Sequence, residues 1–161
     1  MSWFLTIPRN KTDTELRDWI RNQVDQGTPR QIIHNHMFEL DVFSLSVEEL
    51  QAISKVESEL FRVMVDRNLT GKSLESAGKV DEAIQLYEAN VDEWFAGDHP
   101  YDRLRVIYTR RKQHSDAIRV CRQFVKVADW LISQGSKRGD LRPKRKKFKE
   151  WIKKLEKKPL S

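Results

Sequence analysis

At 161 residues the chain has room for one domain, or for a compact domain with an appendage, and its 39% hydrophobic and 34% charged residues suit a soluble, polar, helical protein. No run of 18 apolar residues is present to span a membrane, and the single cysteine, Cys121, excludes an internal disulfide framework or a cysteine-held metal cluster. The net charge of +6 is lopsided: from Lys137 onward 12 Lys and Arg face three acids, so the rest of the chain is net negative.

The first eight residues lack a charged n-region and their apolar run is too short for a signal peptide, which favours a cytoplasmic protein. A first helix is expected from Thr12 or Asp13, whose side-chain oxygens can accept orphan N–H groups, with Leu16, Trp19, Ile20 and Val24 on one face and Gly27 as its stop. Thr28-Pro29 reads as the cap and first turn of a second helix reaching residue 40, with Ile32, Ile33, His36, Met37 and Leu40 inward. Ser46-Val47-Glu48-Glu49 is a capping-box pattern opening a third helix. Its seam is Leu50, Ile53, Leu60 and Met64, interrupted by Glu57. With no Gly or Pro between Ser46 and Thr70, this helix can reach Ala77 over roughly 48 Å, a break around 66–68 being the alternative. Helices are then expected over 81–95, 101–111 and 115–133, with loops at 96–100 and 135–143. A basic amphipathic helix over 144–157 closes the chain, its apolar stripe being Phe148, Trp151, Ile152 and Leu155. No strand pattern occurs, so the fold class is all-α.

Two stretches repeat at a 34-residue offset: Gly78-Lys79-Val80-Asp81-Glu82-Ala83-Ile84-Gln85-Leu86-Tyr87 and Lys112-Gln113-His114-Ser115-Asp116-Ala117-Ile118-Arg119-Val120-Cys121. Placing Ala83 on Ala117 also aligns Gly71 with Arg105 and Leu74 with Tyr108. Such a period is the mark of stacked helical hairpins. Over residues 65–133 the pattern resembles the tetratricopeptide repeat family. Tyr101, Leu104, Tyr108, Gly71, Gly78, Ala83, Ala117 and Tyr87 match its preferences, whereas Arg67, Thr70, Arg105 and Cys121 depart from them. The resemblance implies a short solenoid of two units, with residues 1–64 as an N-terminal helical segment and 136–161 as a basic capping helix. Two units are too few to stand alone, so the flanking helices must close the ends, and 29–64 could itself be a degenerate unit.

In that family the first helix of each unit lines a concave groove. The resemblance therefore nominates Asn68, Lys72, Glu75, Asp102, Arg103, Val106, Thr109 and Arg110 as groove residues, suited to a protein or peptide partner of acidic character. The family's carboxylate-gripping set of Lys and Asn is not reproduced. In the tail, Lys144, Lys147, Lys149 and Lys154 are candidates for contacting phosphates. Continuity of the tail cations with Arg119, Arg122 and Lys126 would favour nucleic acid, and scatter would favour an adaptor. His34 and His36 are two apart on a helix and do not face each other, and Gly71-Lys72-Ser73 lacks the earlier glycine of a phosphate-binding loop. No catalytic constellation, cofactor motif or metal-ligand set stands out, and self-association is left open. The first functional reading is a non-catalytic adaptor; the alternative is a nucleic-acid-associated protein using the basic C-terminal helix.

Overall fold

The computed structural model of the chain describes residues 3–159; the outermost two residues of the expected N-terminal segment and of the C-terminal segment lie outside the described residues. Among the described residues there are seven α-helices, one short 3-10 turn and no strand. Among the described residues no helix is long and apolar enough to cross a membrane. The chain divides into two compact units, Met1–Asp66 and Arg67–Ser161.

The first unit holds α1 (Asp13–Asp25), α2 (Arg30–Phe38), the 3-10 turn Val42–Ser44 and the opening of α3 (Val47–Ser76). Thr12 caps α1 through a reciprocal box with Glu15. Thr28 does not cap α2: its hydroxyl donates to Gln23, and Pro29, which has no N–H to offer, takes the cap position. At α3 the expected box forms, the Ser46 hydroxyl accepting from the Glu49 amide at 3.1 Å. Leu16, Ile20, Ile33, Met37, Ile53, Val56 and Leu60 pack together as the core of this unit. Leu50, expected in the seam, is exposed, and Val56 is buried instead. The interruption at Glu57 has a cause: its carboxylate meets His34 Nε2 at 2.6 Å.

α3 is helical without a break, and its C-terminal part belongs to the second unit. There it is followed by α4 (Val80–Asp92), α5 (His99–Arg110), α6 (His114–Ser133) and α7 (Leu141–Glu156). Two expected boundaries need correction. The expected loops at 96–100 and 135–143 are shorter, because Pro100 and Pro143 lie inside the first turns of α5 and α7. A first-turn residue has no intrahelical acceptor for its N–H, so proline is tolerated there.

The turn α3–α4 recurs 34 residues later as α5–α6. The Lys79 amide donates to the Leu74 carbonyl at 2.8 Å, and the Gln113 amide to the Tyr108 carbonyl at 2.8 Å. Gly78 and Lys112 hold the left-handed backbone conformation that this reversal requires, at φ +78° and +60°. Ala83 and Ala117 are both fully buried. Consecutive helices pack on one another from α4 to α7, and α4 also touches α6. α7 runs antiparallel along α6. Phe148 packs tilted on Phe124, with ring centroids 4.2 Å apart, Arg122 pairs with Glu156 at 2.7 Å, and the Pro159 carbonyl accepts from His114 at 2.7 Å.

Candidate functional site

Asn68, Lys72 and Glu75 recur at helical spacing on α3, as His99, Arg103, Val106 and Arg110 do on α5. Glu75 joins the two stripes. It accepts from Arg103 Nη2 at 2.7 Å, from Arg103 Nε at 3.1 Å and from the Tyr87 hydroxyl at 2.7 Å. The hydrogen bonds from Arg103 lead in holding its carboxyl below the usual carboxylate range. His99 lies edge-on to Tyr87, with ring centroids 5.6 Å apart. Burial, then the positive charge of Arg103, lowers its pKa and favours neutral imidazole.

Not every nominated side chain faces this cluster with a free group. Lys72 and Arg110 are exposed, and Val106 is half-buried. Asn68 is buried, its amide oxygen occupied by the Asn90 amide at 2.9 Å. Arg67, a departure from the repeat pattern, bonds the Asn90 side-chain oxygen and pairs with Glu93, both at 3.2 Å. Asp102 pairs with Arg105 at 2.7 Å, and the Arg105 guanidinium lies 3.6 Å over the Trp151 ring of α7. The Thr109 hydroxyl returns to the Arg105 carbonyl. The accessible chemistry of the face is therefore two exposed cations, an apolar step at Val106, and a tied Arg103–Glu75 pair beside His99.

The two departures at Arg105 and Cys121 balance in size. In the first hairpin Tyr87 packs so closely on Gly71 that a Cβ there would come within 2.6 Å of the ring. In the second, the large residue sits on the first helix as Arg105 and the small one, Cys121, on the second. Cys121 is fully buried, and burial pushes its thiol up to about 12. An uncharged buried thiol is a packing group rather than a nucleophile. Among the described residues no group of three or more His, Cys, Asp or Glu could hold a metal ion.

The four nominated tail lysines separate into different environments. Lys144 is paired with Asp98 at 2.9 Å and Asp140 at 3.0 Å, and Lys147 lies 5.1 Å over the Trp151 ring. Lys149 and Lys154 are exposed. Arg119 is held by Glu88 and Asp116, Arg122 by Glu156, and Lys126 sits 5.0 Å over the Trp94 ring. Those three α6 residues are thus engaged with acids or with a ring.

His99 was hidden in the sequence because Pro100 looked like a loop marker. An Asp-x-Pro start would have placed it on α5, by the rule that admits proline to a first helical turn. Comparisons of the chain with protein-family models, curated proteins and solved structures find no match.

Proposed function

We propose that the chain is a non-catalytic cytoplasmic adaptor, built from two tetratricopeptide-like hairpins, α3–α4 and α5–α6, whose α3–α5 face receives a peptide or protein segment. The observation that carries this reading is the duplicated reversal: equivalent hydrogen bonds, left-handed residues and buried alanines recur 34 residues apart. Hairpins that repeat in this way align their first helices side by side, and such a face suits an extended partner. α7 closes the far end of the stack through Phe148 on Phe124, with Leu141 and Leu155 also buried.

The partner's chemistry follows from what the face leaves unpaired. Arg103 is neutralised by Glu75, so Lys72 and Arg110 supply the recognition charge, with Val106, one turn before Arg110, as an apolar contact. A segment with acidic residues flanking an apolar one fits this face. Peptides selected by display on the full chain should share that pattern. Lys72→Glu with Arg110→Glu should weaken their binding by tenfold or more while leaving the circular-dichroism melt unchanged. Undiminished binding by the folded double variant would overturn the assignment of this face.

A further inference from the structure

α7 has two sides with opposite histories. Its apolar side is spent inside the protein: Leu141, Phe148 and Leu155 are buried. The opposite side carries Arg142, Lys146, Lys149, Lys153 and Lys157, successive steps of four, three, four and four residues that keep them on one face. All five are exposed, and none has an acidic partner within 4 Å among the described residues. The paired cations of the tail lie elsewhere: Arg138 and Lys144 are held by Asp140, and Arg145 by Asp129. Lys144 and Arg145 thus turn to acids of the body, Asp98 and Asp129, while the row, like Lys147 and Lys154 beside it, has no acidic partner within 4 Å among the described residues.

The start of that row works against the helix that carries it. Like charges four residues apart repel, and Arg142 stands at the positive end of the helix dipole, where α7 has no acid in its first turn. Lys153 and Lys157 stand at the opposite end, where the dipole favours them. A local rule broken without an internal gain points to a ligand that supplies the missing charge. The row runs over 16 residues, about 22 Å of helix from first to last. A duplex presents one negative charge per roughly 1.7 Å of axis, about 13 over that length, so each of the five cations can find a phosphate.

We propose that the outward face of α7 binds the sugar–phosphate backbone of nucleic acid, through Arg142, Lys146, Lys149, Lys153 and Lys157. The proposal stands apart from the peptide-face reading, since it uses none of the same residues. It also differs from the set nominated by sequence, keeping Lys149 and replacing Lys144, Lys147 and Lys154. Recognition is indifferent to base sequence. Phe148 is buried and the Trp151 ring is covered by Arg105, so α7 offers no open ring for a base to stack on. An anionic membrane is the poorer partner, because the apolar side that would enter lipid is already committed to α6.

The test titrates the full chain against a fluorescent 20-base-pair DNA duplex, a single-stranded RNA of equal length and vesicles containing phosphatidylserine, from 50 to 200 mM salt. Two unrelated sequences of each nucleic acid should bind alike. Lys146, Lys149, Lys153 and Lys157 changed together to Gln should lower affinity at least tenfold at 100 mM salt. The slope of log K against log salt should become shallower by about 3, at roughly 0.7–0.9 per lost phosphate contact. The same four positions changed to Arg should retain binding, and a charge-matched control with Lys11, Arg21, Arg62 and Lys79 changed to Gln should stay within threefold. No binding to nucleic acid at 50 mM salt, equal losses in the control, loss on changing to Arg, or binding to vesicles alone would each overturn the proposal.

Discussion

Gly71 matters because Tyr87 occupies the space its side chain would need. Tyr87 is fully buried and its hydroxyl is tied to Glu75, so the ring has little freedom to retreat. Gly71→Ala gains up to ~1 kcal/mol of helix propensity, yet overpacking of this kind costs about 1–3 kcal/mol. The variant should therefore be less stable in a urea melt, whereas Gly139→Ala, where a Cβ meets nothing within 4 Å, should be close to neutral. Equal effects would mean that Gly71 does not mark the helix contact. Glu75 gives a second test at this scale. Its pKa is lowered below 4.5 in the folded state, so between the two values the unfolded chain holds more protons. The stability it contributes is present above pH 4.5 and is lost as pH falls through the folded pKa. His99, with a pKa lowered below 6.5, adds a loss of the same sign beginning nearer pH 6.5. Urea midpoints measured from pH 7 to pH 3 should fall less steeply below pH 4.5 in Glu75→Gln than in the unmodified chain. An unchanged slope would remove Glu75 from the account.

At the scale of elements, α7 should be needed for the second unit to hold. Ending the chain at Gly139 removes three buried apolar side chains and uncovers Phe124, which is 1% exposed. Burial of each is worth roughly 1.5–3 kcal/mol, against a total stability of about 5–15 kcal/mol for a typical domain. The truncated chain should aggregate, or unfold at a clearly lower denaturant midpoint; an unchanged midpoint would make α7 an appendage. The existence of every α-helix was legible in the sequence, because each carries apolar residues at helical spacing. Their starts were less so. In the sequence Pro100 and Pro143 look like the ends of loops, although both occupy first turns, whereas Pro29 looks like a first helical residue and takes the cap position. The stripe on α3 and α5 could also be read from spacing. Which of its charges stay free could not, because Arg103–Glu75 joins residues 28 apart in the chain, and on α7 the same holds for Lys144–Asp98, 46 apart. The same limit applied to Glu57, whose partner His34 became visible only when α2 and α3 were packed.

Over the whole molecule, the proposed adaptor role stands or falls with the α3–α5 face as the place where a partner sits. Its most direct measurement places a photo-crosslinking amino acid at Val106, half-buried between Arg103 and Arg110, and in a parallel chain at Gln85, exposed on α4. Irradiated in cells, the Val106 chain should give discrete protein adducts that disappear when Lys72→Glu and Arg110→Glu are added, while the Gln85 chain should give few. Adducts of equal strength from both positions, or adducts from Val106 that survive the two charge reversals, would contradict it.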